Sequence, residues 1–164
     1  MSASVSTGKN SKQDFGTPVS LITTLKKHVN ITVDLAAHSG NHKCPVWYGP
    51  GGVVRDALAV EWKPLLNDEW YFLNMEYCNI PPWYEKCAES TSKGARIVSL
   101  VPMDAAPSWF DFVPGKAGIW HIQGRIKFDG AEQSGAKDSA LHFWAPEHVG
   151  TFRVWNWRKD KFLI

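Results

Sequence analysis

The run Trp70-Tyr71-Phe72-Leu73 constrains this chain more than any other feature. Four consecutive apolar or aromatic residues read as a buried β-strand, over 69–73, and the run stops abruptly at Asn74. Met75, Glu76 and Tyr77 follow, and Pro81-Pro82-Trp83 then opens a stretch, 82–92, that reads as a helix ending near Gly94. A buried strand that gives way to an amide and an aromatic ring at the rim of a sheet is where open α/β folds place their chemistry.

The rest of the chain supplies further strands and helices around this one. Thr17 reads as an N-cap with Pro18 at the first helical position, and Leu21, Ile22, Leu25 and Val29 follow at helical spacing. The β-branched run 31–35 reads as a buried strand ending at Asp34, the small and polar stretch 36–45 as loop, and the glycines of 49–52 as a breaker. Residues 57–62 fit a strand or a short helical piece, and 108–113 a short helix or loop. Strands are expected at 96–101, 119–122, 125–128 and 140–144, with a polar loop over 130–138 and a strand-like alternation at 151–157. Strand, helix, strand, helix and then strands alone predict an α/β fold with antiparallel additions at the C-terminal end.

Composition narrows the class. A chain of 164 residues suggests one domain, here 15–164, preceded by a Ser-, Lys- and Asn-rich leader over 1–14 that lacks the apolar stretch of a signal peptide. Hydrophobic residues make up 44%, which excludes wholesale disorder. A net charge of +2 does not by itself demand a nucleic-acid partner. Cys44, Cys78 and Cys87 show no CxxC spacing and fit a reducing cytoplasm, and no apolar run reaches the length of a membrane helix. No Gly-x-Ser-x-Gly or Gly-Lys-Ser/Thr element supports a hydrolase or a nucleoside triphosphatase. His38, His42 and Cys44 have the spacing of metal ligands but no evident fourth partner, so no metal site is expected. Most of the nine tryptophans should be core residues, with a minority left to stack on bases.

Several side chains carry two readings each. Asp34, beside the small Ala36 and Ala37, either accepts hydrogen bonds from a ligand or is a surface Asp at a strand–loop junction. Asp56 either accepts from a ligand amine or is a solvated turn residue after Gly51-Gly52. Asn74 and the next backbone carbonyl can together accept both hydrogens of an amine, and Tyr77 can stack on a base. The alternative is an ordinary strand end followed by a turn. Arg125, after Gly124, contacts phosphate or pairs with a local carboxylate. The tail from Arg153 to Lys161 interleaves basic and aromatic residues, as a nucleic-acid-contacting strand or as an edge strand guarded by its charges.

Taken in order, Thr17-Pro18, Asp34-Leu35-Ala36-Ala37, Asp56-Ala57-Leu58, Asn74-Met75-Glu76-Tyr77, Leu100-Val101-Pro102 and Gly124-Arg125-Ile126-Lys127-Phe128 resemble the small phage-type Dam family of DNA N-6-adenine methyltransferases. The similarity runs from about residue 15 to 143, and Asn74 to Tyr77 stand where the family has Asn-Pro-Pro-Tyr. The resemblance implies a single-domain, Rossmann-like, S-adenosylmethionine-dependent methyltransferase sheet that methylates the N6 amine of adenine in DNA. It implies cofactor contacts at Thr17, Pro18, Asp34, Ala36 and Asp56, and catalytic roles for Asn74, Met75 (through its carbonyl), Glu76 and Tyr77. Glu76 takes a proton, stabilises the sulfonium or faces solvent. DNA contacts are expected from Lys86, Arg125, Arg153 and Arg158, with specificity drawn from loops 49–56 and 130–138 and from a second subunit in a homodimer. A phage-encoded chain would work in the host cytoplasm, with no membrane partner. The altered pair Met75-Glu76 also leaves room for a non-catalytic protein of the same fold that binds S-adenosylmethionine, DNA or a host protein. A third reading is a single-stranded nucleic-acid-binding module built on the Trp-rich tail.

Overall fold

The computed structural model describes residues 16–135 and 137–164; the leader expected over 1–14 lies outside them. One eight-stranded sheet organises the described chain, in the order β2-β1-β3-β4-β6-β5-β7-β8. Its strands are β1 (Ile31–Asp34), β2 (Val46–Trp47), β3 (Trp70–Leu73), β4 (Ile97–Pro102), β5 (Ala117–Ile122), β6 (Ser139–Trp144), β7 (Phe152–Asn156) and β8 (Lys161–Phe162). Strands β2, β1, β3 and β4 are parallel. Strand β6 runs antiparallel to both β4 and β5, β7 is parallel to β5, and β8 turns back against β7. The C-terminal ends of β1, β3, β4, β5 and β7 therefore share one edge of the sheet.

Two helices cover opposite faces, and the pleat of the strands explains why. Trp70 and Phe72 of β3 point into the cluster that holds Leu21, Ile22 and Leu25 of α1 (Val19–Leu25). Tyr71 and Leu73 point into the other, with Ile80, Tyr84 and Cys87 of α2 (Ile80–Ser92). A strand buried on both sides reads as a continuous apolar run because alternate side chains serve different layers. β4 follows the same rule, with Val98 and Leu100 on the α1 side and Ile97 and Val101 on the α2 side.

Ser99 is the polar exception in β4, fully buried and tied into a hydrogen-bond chain. Trp144 Nε1 donates to Ser99 Oγ at 3.0 Å, Ser99 and Tyr84 hydroxyls meet at 2.9 Å, and the Tyr84 hydroxyl lies 2.6 Å from His142 Nδ1. Burial pushes the Tyr84 phenol well above its ordinary range and the His142 imidazole down to about 3. The phenol therefore keeps its proton and the imidazole stays neutral, and the Trp144, Ser99, Tyr84 and His142 side chains satisfy one another in the buried interior.

Three sequence expectations are corrected. Residues 125–128 are not a strand: after β5 the chain loops out, and only Asp129 forms an isolated bridge, with Gly16. Ile126 is buried nonetheless, so the apolar residues there anchor a loop rather than extend a sheet. Thr17 is not the N-cap of α1; Pro18 holds that position and no side chain caps the helix. The tail does not present its aromatics to solvent either, since Trp155 and Trp157 are buried on the α1 side of the sheet. Of all nine tryptophans only Trp47 and Trp83 stay partly exposed. Among the described residues, no helix is long and apolar enough to cross a membrane.

Candidate active site

At the shared edge of the sheet, β1 ends in Asp34 and β3 ends just before Asn74. The two strands are parallel neighbours, with Asp34 level with Phe72, so both residues arrive at one place. A small recess forms between them, lined by Thr17, Asp34, Ala36, Asn41, Lys43 and Asn74 among others. Beside it opens a cleft of about 470 Å³ whose walls include Ala36, His38, Asn41, Tyr48, Asp56, Asn74, Glu76 and Trp83. Asn74 and Ala36 line both spaces.

Asp34 is buried, and each of its oxygens takes a backbone N–H: Ala36 donates to Oδ1 at 3.3 Å and Lys43 to Oδ2 at 2.9 Å. Burial raises its pKa, against the lowering effect of those two donors and of the Lys43 charge. The carboxylate thus holds the 36–43 loop in shape. Close backbone packing closes the far wall. Gly49 has φ +135°, and a Cβ there would fall 1.7 Å from the Ala37 carbonyl oxygen, so only glycine fits. Asp56 caps the 3-10 turn Ala57–Ala59 by accepting from Leu58 N–H at 3.1 Å, and is otherwise exposed at the cleft.

The Asn74–Tyr77 element divides its labour between side chain and backbone. Asn74 Nδ2 donates to Thr17 Oγ1 at 2.8 Å. Met75 is buried, between the cleft-lining Asn74 and Glu76. Glu76 has φ −63° and ψ 126°, and a φ of that size is the one a proline ring imposes. The Tyr77 ring stands edge-on to Phe128 at 6.4 Å. Its hydroxyl is buried without a partner, and burial pushes the phenol well above its ordinary range. The loop carrying Phe128 is pinned to this edge, where Asp129 N–H donates to the Gly16 carbonyl at 2.8 Å and the Asp129 carboxylate lies 3.7 Å from Lys43 Nζ.

The basic residues singled out in the sequence scatter. Arg125 and Arg158 lie on the loops after β5 and β7, at the same sheet edge as Asn74, and both are exposed. Arg125 is 3.5 Å from Asp138, and Arg158 rests over the Trp157 ring. Lys86 instead reaches from α2 to the 57–62 segment, with Nζ 3.4 Å from the Leu58 carbonyl and over the Trp62 ring. Arg153 donates to the Ile164 carbonyl and stacks on Phe162. His42 lies flat on Trp47, its Nδ1 2.8 Å from the Cys44 carbonyl, and no three His, Cys, Asp or Glu side chains converge among the described residues. Sequence reasoning missed Asn41, Tyr48 and Trp83 as cleft residues. For Trp83 a signal was present, its place on the first turn of the helix that follows the Asn-ended strand.

A mixed α/β sheet with a cleft at the C-terminal ends of its parallel strands, and Asn74 at the exit of β3, is consistent with a methyltransferase-like fold. The chain belongs to the DNA N-6-adenine-methyltransferase (Dam) family, whose model matches residues 4–146, most of its length. At family level that activity is methylation of adenine N6 in DNA. No curated protein matches the chain.

Proposed function

We propose that this chain is a working enzyme on a Rossmann-like sheet, transferring methyl groups from S-adenosylmethionine to the N6 amine of adenine in DNA. The observation that carries the reading is the Asn74–Tyr77 backbone, which holds a proline-type angle at Glu76 without a proline. The family's Asn-Pro-Pro-Tyr element and this Asn-Met-Glu-Tyr then deliver the same groups by different residues.

The cleft suits the cofactor. Its volume of about 470 Å³ lies within the range of small-ligand sites, and it combines the Asp56 carboxylate with the small residues Ala36 and Ala37. Asp34, Ala36, Thr17 and Pro18 would border the methionine end, and Asp56 would accept from the adenine amine. When bound, S-adenosylmethionine supplies an electrophilic methyl group. Everything else falls to the protein. Asn74 Oδ1 and the Met75 carbonyl would accept the two hydrogens of the target amine, localising its lone pair and aiming it. Glu76 serves through its backbone angle. Tyr77, braced by Phe128, would stack on a base turned out of the duplex. Arg125 and Arg158 would take phosphates at the same edge.

The test is incubation of the purified protein with methyl-labelled S-adenosylmethionine and unmethylated DNA, followed by digestion and identification of the labelled nucleoside. Label in N6-methyladenine is the expected result. Cofactor binding by calorimetry without any label would instead favour the non-catalytic alternative or an acceptor other than DNA adenine.

A further inference from the structure

We infer that Thr17 is a positioning residue for this reaction: its hydroxyl sets the carboxamide of Asn74 so that the oxygen, and not the nitrogen, faces the target amine. This rests on the reading of Asn74 as the group that holds the amine.

An Asn carboxamide turns easily about its terminal torsion, and its two ends are chemically opposite. The oxygen accepts hydrogen bonds and the NH2 only donates them. An amine that must have both hydrogens accepted would meet a donor if the group turned over, and its lone pair would be drawn away from the methyl group. Within residues 70–77 no side-chain hydrogen bond holds the Asn74 carboxamide.

The restraint comes from 57 positions away. Thr17 Oγ1 accepts from Asn74 Nδ2 at 2.8 Å. With the nitrogen anchored on the recess side, the oxygen is the end left to the cleft that Asn74 also lines. Thr17 suits the task in three respects. It is only 2% exposed, so water does not compete for the bond. It is β-branched, so its side chain has few rotamers. Its backbone is held on both sides: Asp129 N–H donates to the Gly16 carbonyl, and Leu21 and Ile22 N–H donate to the Pro18 carbonyl. The side chain makes no cap bond to α1, so its hydroxyl is not committed to the helix that follows.

Thr17→Val keeps the shape and removes the acceptor; Thr17→Ser keeps the acceptor. The two variants and the parent protein are compared in kcat, in KM for S-adenosylmethionine and for DNA, and in melting temperature. The Asn74 side-chain amide is followed by nitrogen-15 NMR for its exchange with water. The expected result for Thr17→Val is a kcat lower by about 10- to 100-fold with KM for DNA little changed, and faster exchange of the Asn74 amide. Thr17→Ser should recover most of the rate and the slow exchange. Thr17→Ala, which drops the acceptor without adding bulk, carries the test if Thr17→Val does not fold. A kcat in the acceptor-less variants equal to the parent's overturns the inference. So does a Thr17→Ser enzyme as slow as Thr17→Val, or a loss confined to KM. A parent protein that transfers no methyl at all fails earlier, and sinks the reading of the site itself.

Discussion

The Tyr77 ring meets Phe128 edge-on, with centroids 6.4 Å apart and planes at 79°, while its hydroxyl is sealed from water with nothing to bond. This contact ties the end of the β3 strand to the loop after β5, and the ring alone makes it. Tyr77→Phe removes an unsatisfied polar atom and keeps the brace, so it should leave the unfolding free energy unchanged or raise it by about 1 kcal/mol. Equilibrium urea unfolding measures this. A clear loss of stability would show that the hydroxyl has a partner.

Asn74→Ala would remove the acceptor proposed for the target amine while leaving the backbone of the cleft in place. Methyl transfer should fall by about 100-fold or more, the scale on which a single preorganised electrostatic group acts. Affinity for S-adenosylmethionine, read by calorimetry, should stay within a few-fold. Equal activity in the variant would remove Asn74 from the chemistry.

Glu76→Pro asks whether position 76 works through its backbone or its carboxylate. The φ of −63° already fits the proline ring, so stability should change by less than about 1 kcal/mol. Activity should persist. A folded but inactive Glu76→Pro protein would assign the work to the carboxylate.

His142 makes stability depend on pH. Its imidazole ionises near 6.5 when unfolded and at about 3 when folded, because burial penalises the cation. Between those values the unfolded chain binds the extra proton, so stability falls as pH drops from 6.5 towards 3, by at most about 1.4 kcal/mol per pH unit. Asp34, raised by burial, works in the opposite direction on acidification, and His148, lowered by burial, in the same one. The informative quantity is therefore the difference between the parent and His142→Gln. The variant should show the shallower slope over pH 4 to 6.5 in chemical unfolding; identical slopes would mean that His142 is not neutral and buried.

The doubly buried strands were legible because each residue of a run such as Trp70 to Leu73 has a core to face, and the apolar signal does not depend on knowing which. Asp34 and Asn74 could be placed at strand ends for the same reason. What could not be read depended on partners far along the chain. Thr17 followed by Pro18 has the local chemistry of a helix start, but its hydroxyl bonds a side chain contributed by β3's exit. Residues 125–128 have a strand's composition, yet Ile126 and Phe128 are held by packing beneath a loop and not by a neighbouring strand. Strands β2 and β8 are two residues each and too short for any periodicity. Among the basic residues, local sequence cannot separate Arg125 and Arg158, on loops at the sheet edge shared with Asn74, from Lys86, which reaches the Leu58 carbonyl, and Arg153, which bonds the chain end.

The bridge between Gly16 and Asp129 has a consequence for the order in which a newly made chain matures. Thr17 and Asn74 leave the ribosome early, but the segment that braces Thr17 waits for a residue more than a hundred positions downstream. Domains gain their long-range contacts late, after loop closure has been overcome. A nascent chain halted before Asp129 would carry every residue that lines the cleft and still lack its finished geometry, so the site would be completed only with the last third of the polypeptide.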